Sequence, residues 1–352
     1  LLINIIIGLV LLSVLIIAHE LGHFVTAKAS GVKVEEFGIG FPPRLISVKH
    51  GETRYSLNAI PMGGFNKMAG EEDPRDPGSL ASKSIGTRLL VLSAGSLVNI
   101  ILPVIMLSSA FMIPHNAVFG QVTVEEVAPD SPAARAGIEP GDILLGVNQK
   151  PVNNVGDLVR RVQLNLGKEI TVTVKHSDAT VEEVQLVPRW KPPEGQGPIG
   201  TLSRTVNPTT IKQHYPFWQA IPMGIGECIE VFILSKNGII SMALGAVPLN
   251  EMTLVGVAQM TGEVARTGLS PLLEYTALIS LILGIGNLFP LPALDGGRIA
   301  FVLLEWVRRG KRVPPKTEGL VHLVGFALLM ALTLAVIGQD IIRIFSGESL
   351  LP

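Results

Sequence analysis

The segment His19-Glu20-Leu21-Gly22-His23 has the pattern H-E-x-x-H. On a helix, residues four apart share a face, so the two imidazoles can hold one cation. Neutral imidazole suits zinc. Glu20 lies beside such a metal and can take a proton from bound water, whose pKa the metal brings toward ~7. The bland alternative is a solvated helix end. Two histidines leave a catalytic zinc one protein ligand short. The third is expected to be a His or carboxylate at the same depth, and Asp295 is the candidate. It sits in Asn287-Leu288-Phe289-Pro290-Leu291-Pro292-Ala293-Leu294-Asp295-Gly296-Gly297. Its own alternative is to cap a helix start before the paired glycines. The single cysteine, Cys228, excludes an intrachain disulfide and a cysteine-based zinc knuckle.

Long apolar runs must position these groups. The 352 residues are 47% apolar and only 16% charged, short of the roughly 25% charge of a soluble domain. With 28 basic and 29 acidic residues the chain has no global field for nucleic acid, and no nucleic-acid partner is expected. Charge-free or nearly charge-free runs cover 1–18, 89–113, 275–294 and 319–338. Each approaches or exceeds the ~20 residues that span ~30 Å of hydrocarbon. Four transmembrane helices are therefore expected, at 1–27, 88–113, 271–295 and 319–344. The first has no basic leader and no small-residue cleavage site, so it reads as a span and not as a signal peptide. Because the chain lacks an initiator Met, a few residues are expected to precede Leu1.

Orientation follows from the basic residues of short loops. The loop 296–318 holds Arg298, Arg308, Arg309, Lys311, Arg312 and Lys316, and the segment 28–87 is also rich in Lys and Arg. Both are expected in the cytoplasm, with the termini and 114–270 outside. Residues 28–87 read as short strands at Val32–Phe37, Leu45–Lys49 and Thr53–Asn58. Gly63-Gly64-Phe65 follows, and its glycines suit close backbone approach.

Residues 119–188 read as a small α+β domain: strand Gln121–Val127, a capped helix in Ser131–Gly137, strand Asp142–Asn148, helix Val155–Leu166, and strands Glu169–Lys175 and Glu183–Val187. That order, with the phrase SPAARAGIEPGD, resembles a bacterial PDZ domain. Residues 189–270 read as a Pro/Gly linker and interfacial amphipathic helices, with 217–243 lying along the membrane surface. His50, His115, His176, His214 and His322 have no partner at ligand spacing and read as surface or packing residues.

H-E-L-G-H near the end of a first span, N-L-F-P-L-P-A-L-D-G-G in a late one and a PDZ between them resemble the site-2 protease family of intramembrane zinc metalloproteases. The likeness is to its bacterial regulator-of-sigma-E branch, with a single PDZ domain where other members carry two. The resemblance implies zinc on His19, His23 and Asp295, with Glu20 as general base and acid. It implies Asn287 at the oxyanion or scissile carbonyl, the alternative being helix–helix glue. Gly95 and Asn99 look like the family's G-x-x-x-N, implying close packing and a substrate contact from Asn99. Gly63, Gly64 and Phe65 look like its membrane re-entrant β-loop, which would pair with an unwound substrate. An ordinary turn is the alternative there.

The expected fold is a polytopic α-helical membrane protein with a membrane-associated β-hairpin and an inserted extracytoplasmic PDZ domain. Its expected seat is the bacterial cytoplasmic (inner) membrane. The expected partners are the lipid bilayer and single-span membrane proteins, such as anti-sigma factors or remnant signal peptides, first shortened by another protease. An ion-coupled transporter also places His, Glu and Asp at membrane depth, but the four spans show no inverted repeat. A catalytically inactive PDZ scaffold is the third reading, and the intact His19, Glu20, His23 and Asp295 weigh against it.

Overall fold

A computed structural model describes residues 2–70, 75–246 and 254–346. The chain divides into two compact units, Leu1–Leu107 with Asn250–Pro352, and Ser108–Leu249.

The first unit is helical with one small sheet. Helix α1 (Leu2–Ala29) carries the H-E-x-x-H segment in its last third. It stops where Gly31 adopts φ +67° and the Val32 amide donates back to the Ala27 carbonyl, a glycine-terminated helix end. Strands β1 (Val34–His50) and β2 (Thr53–Met68) follow. Both bend back on themselves. Phe37 therefore faces Tyr55 on one side and Asn66 on the other, and Gly38 faces both Ser56 and Phe65. The stretch 64–68 thus forms one edge of the antiparallel sheet, and among the described residues no further strand pairs with it.

Helix α2 (Ile85–Met112) leads out of this unit. The chain returns to it in α6 (Leu254–Thr267), α7 (Leu269–Leu288), α8 (Asp295–Val307) and α9 (Pro315–Ser346). Pro290 and Pro292 cannot continue a helix, and the break they make separates α7 from α8. The loop expected at 296–318 therefore begins as a helix, whose buried face includes Val302 and Glu305. Helix α6 also departs from a surface role. Gly262 lies against Asn4 of α1, leaving no room for a side chain, and Arg266 donates to the Asn4 side chain at 3.2 Å.

The second unit is a six-stranded antiparallel sheet of order β7-β6-β4-β3-β8, with β5 on β4. Its elements are β3 (His115–Val127), α3 (Pro132–Arg135), β4 (Ile143–Val147), β5 (Lys150–Pro151), α4 (Val155–Leu164), β6 (Ile170–Lys175), β7 (Val181–Leu186), β8 (Thr201–Gln213) and α5 (Phe217–Ala243). Each strand and helix read from the sequence between 119 and 188 is present. Alternating residues explain the core: Val122, Val124, Leu144, Ile170, Val172 and Val174 point to one face and are almost fully buried with Leu158 and Val162 of α4. Strand β8 lies where a linker is expected. Its β-branched Thr201, Thr205, Val206, Thr209, Thr210 and Ile211 suit a strand, and its Pro208 is tolerated because β8 is an edge strand.

Among the described residues five helices are long and apolar enough to cross a membrane, one more than the four expected. The fifth is α5. One face of α5, with Ala220, Gly224, Cys228 and Val231, is buried within the second unit. Arg160 of α4 binds Glu227 and Glu230 of α5, and Lys150 binds Glu230 at 3.0 Å.

Candidate metal centre

Two histidines on α1 begin the site. His19 and His23 project from successive turns of one face, with ring centroids 4.8 Å apart and the rings edge to face. They are only 6% and 4% exposed, because α2 covers them through a glycine. Gly95 of α2 lies directly over the rings. A Cβ there would stand 2.4 Å from His23 Nε2 and 2.7 Å from His19 Nε2. Gly22 faces α2 in the same way, 2.7 Å from the Ala94 carbonyl for a notional Cβ. The two glycines bring the backbones together.

The third group arrives from 272 residues away along the chain. Asp295 Oδ2 lies 3.0 Å from His19 Nε2 and 3.1 Å from His23 Nε2. The loop that delivers it is tightly folded. A Cβ on Gly296 would fall 2.1 Å from the Phe289 carbonyl oxygen, and one on Gly297 would fall 2.4 Å from that of Leu291. The paired glycines thus let the loop tuck under the first turn of α8. No side chain caps that helix start, so the Asp295 carboxylate faces the imidazoles and does not cap.

The donor set fits a divalent cation. His23 Nδ1 lies 2.8 Å from the Val91 carbonyl. A carbonyl only accepts, so the ring donates from Nδ1. The neutral ring then aims a lone pair from Nε2 at the Asp295 carboxylate, which also offers only lone pairs. The same Nε2 lies 3.1 Å from His19 Nε2. With His23 in this tautomer, its Nε2 and the Asp295 carboxylate are two acceptors 3.1 Å apart, which repel unless a proton or a cation sits between them. Ligands at about 2.0–2.1 Å around a tetrahedral zinc stand ~3.3 Å apart, within a few tenths of an ångström of these separations. The Val91 contact is the outer hydrogen bond that fixes tautomer and orientation in metal-binding histidines.

Two cavities flank the triad, and Glu20, Ala293 and Asp295 line both. One, of about 200 Å³, is also lined by His23, Phe65, Asn66 and Arg298. The other, of about 190 Å³, is also lined by His19, Asn99, Asn287 and Leu283. Asn99 and Asn287 therefore share a space with Glu20. The Asn99 carbonyl accepts from the Ser280 hydroxyl at 2.9 Å, tying α2 to α7, and its side-chain Oδ1 is buried with no protein partner.

The glycine segment of β2 lies close by. Gly63 takes φ +70°, and its amide donates to the Ser13 hydroxyl at 3.2 Å. A Cβ on Gly64 would stand 3.8 Å from Glu20 Cγ. Phe65 covers Gly38 and stacks near Phe41.

Three residues escape the sequence reading. Asn66 and Arg298 line the first cavity. His322 of α9 is more than a packing residue, because its Nδ1 accepts the Ala293 amide at 3.0 Å. Ala293 holds φ +75° two residues before Asp295. A histidine in an otherwise apolar span is the signal that could have marked it. Farther along α8, Glu305 receives Arg88 of α2 at 2.5 Å and Arg312 at 3.0 Å, and Arg312 also donates to the Ala81 carbonyl. Burial pushes the Glu305 carboxyl up, but the two arginines hold it below the usual glutamate range.

Comparison with known proteins finds relatives along nearly the whole chain. The sequence pattern of peptidase family M50 matches residues 7–332. A Clostridium acetobutylicum protein provisionally named a zinc metalloprotease is 34% identical over 341 residues, covering 96% of this chain and 97% of that one. A Clostridium perfringens protein of the same provisional description is 36% identical over 344 residues, covering 96% and 98%. The Bacillus subtilis regulator of sigma-W protease RasP is 27% identical over 425 residues, covering 96% and 98%.

Proposed function

The chain belongs to peptidase family M50, the site-2 zinc metalloproteases that cut within membranes, and from that premise we propose which of its own groups carry out the hydrolysis. His19, His23 and Asp295 hold the zinc. The observation that carries this assignment is the convergence of Nε2, Nε2 and Oδ2 within 3.1 Å, under a glycine that leaves no spare volume. Zinc bound there supplies Lewis-acid polarisation of the scissile carbonyl and an acidified water.

Glu20 acts as general base and acid. It takes a proton from the attacking water and returns it to the departing nitrogen. Its place on the wall of both cavities, beside Asp295, supports that role. Asn287 and Asn99 line the cavity on the His19 side and steady the substrate carbonyl as charge develops there. The edge formed by 64–68, with Gly63, Gly64 and Phe65 at its start, receives the unwound substrate as an added strand. A peptide bond in lipid is otherwise shielded by its own helix and deprived of water.

Four helices, α1, α2, α7 and α9, cross the bilayer. Helix α5 lies in the interface, with Phe217, Trp218, Ile221, Ile225 and Ile229 exposed on one face. Its Glu227 and Glu230 pair with Arg160 and Lys150 of the second unit, which supports an interfacial place. Residues 119–188 form a PDZ domain outside the bacterial inner membrane and restrict entry by size. Substrates are single-span proteins already trimmed on that side, of the anti-sigma-factor or remnant-signal-peptide kind. The relative whose name marks it as a regulator of sigma-W supports the former.

The direct test of mechanism is purified Glu20→Gln in lipid vesicles with a single-span substrate. It should keep its zinc and lose about 10²–10⁴-fold in rate. Wild-type cleavage by the folded, zinc-loaded variant would remove Glu20 from the mechanism. Fusing a stably folded domain to the outer end of the substrate should block cleavage until that domain is removed.

A further inference from the structure

Asn66 lines a cavity with both polar ends of its side chain buried and unpaired. It follows Gly64 by two residues on β2, so the two share a face of the sheet. That face is the one turned to α1, where a Cβ on Gly64 would meet Ile17 and Glu20. Asn66 lines the 200 Å³ cavity together with Glu20, His23 and Asp295. Both its Nδ2 and its Oδ1 are withdrawn from solvent, and neither has a hydrogen-bond partner.

The sheet satisfies its other buried asparagine. Asn58 donates to the Gly40 carbonyl at 3.0 Å and to that of Ile39 at 3.3 Å. A buried carboxamide with neither half paired weakens the fold, and such groups are rare without a functional reason. The cavity on which it opens connects the 64–68 edge, through Phe65, Asn66 and Met68, with Glu20. A strand added to the 64–68 edge has its N–H and C=O groups paired only at alternate residues. The groups between them point away from β2, but where the chain leaves the edge to cross the cavity in front of Glu20 its peptide groups lose their strand partners beside Asn66, which lines that cavity. A carboxamide has the donor and acceptor of one peptide unit side by side.

We propose that Asn66 is a substrate-contact residue, whose carboxamide donates to the C=O and accepts from the N–H of the extended substrate backbone, holding it in front of Glu20. This rests on the proteolytic reading of the site given above. It assigns to the enzyme a backbone-reading side chain and makes recognition at this position independent of the substrate's side chains.

Asn66→Leu and Asn66→Ala test it. Neither breaks a bond within the protein, so the thermal midpoint and zinc content should stay level or rise. The binding constant for an uncleaved single-span peptide, measured in the Glu20→Gln background, should weaken about 10-fold, the value of two neutral hydrogen bonds. Cleavage should weaken through KM. A set of peptides with single backbone amides replaced by esters around the scissile bond locates the contact. One ester should weaken binding to the Glu20→Gln protein carrying Asn66, and have no further effect once Leu replaces Asn66. Unchanged binding by Asn66→Leu, ester effects equal in both backgrounds, or a lowered midpoint in both variants would each overturn the proposal. The affinity readout needs no hydrolysis, so it stands or falls separately from the role of Glu20.

Discussion

Gly95 of α2 and His23 of α1 are packed so closely that one methyl group on the glycine would sit 2.4 Å from the imidazole Nε2. The glycine therefore sets where the ring nitrogen stands relative to Asp295. Gly95→Ala must push the ring, and through it the Val91 hydrogen bond that fixes its tautomer. We expect a folded protein whose zinc affinity falls about 10–100-fold, as for loss of an outer-shell support. Metal content after dialysis against a graded chelator measures it. Zinc retention equal to wild type would mean that the helices separate easily here.

Glu305 clasps Arg88 and Arg312 with little solvent access, and so ties α8, which begins at Asp295, to α2, which bears Gly95. Removing one partner leaves a buried charge. Glu305→Ala should cost about 3–5 kcal/mol, while Arg88→Met combined with Glu305→Leu should cost less than either alone. Denaturation in mild detergent gives the comparison. Independent, additive losses would contradict a shared buried cluster.

His322 accepts the Ala293 amide, which holds a left-handed backbone turn two residues from Asp295. His322→Leu should release that turn. A shift of about 1 Å at a catalytic group can cost 10²-fold, so kcat should fall by up to that factor. His322→Asn, which keeps a side-chain acceptor, should recover part of it. Equal activity of the Leu variant and the wild type would dismiss the positioning role.

In the second unit, the half-buried His176 donates from Nδ1 to Asp142 at 3.0 Å. That bond, with the nearby charges of Asp142, Glu182 and Asp178, raises its pKa above the ordinary value of 6.5. A raised pKa favours the folded state fully below the unfolded value, and the gain disappears as pH rises through the folded one. The thermal midpoint of wild type should exceed that of His176→Asn at about pH 6, and the gap should close by about pH 9. A gap that widens with pH would reverse the sign.

What could be read from the sequence was local. His19 and His23 lie one helical turn apart, and Asp295 adjoins two prolines and two glycines that announce a broken helix. The alternating valines of β3 and β6 were equally plain. Strand β8 was hidden because it follows a Pro/Gly run and carries Pro208, and only pairing with β3 makes it a strand. Helix α8 was hidden by the basic residues that follow it. His322, Asn66 and the fit of Gly95 depend on residues brought together from distant parts of the chain, and no spacing encodes such contacts. The fifth apolar helix, α5, has the length of a span, and composition alone does not register that its glutamates are paired.

The central claim is that two imidazoles and one carboxylate of this chain hold the zinc. X-ray absorption on the zinc-loaded protein in detergent tests it most directly, beside His23→Ala and Asp295→Ala. The account predicts one zinc with light-atom ligands only, imidazole nitrogens at about 2.0–2.1 Å, and loss of the metal in both variants. Sulfur scattering from Cys228, or an unchanged zinc spectrum after Asp295→Ala, would contradict it.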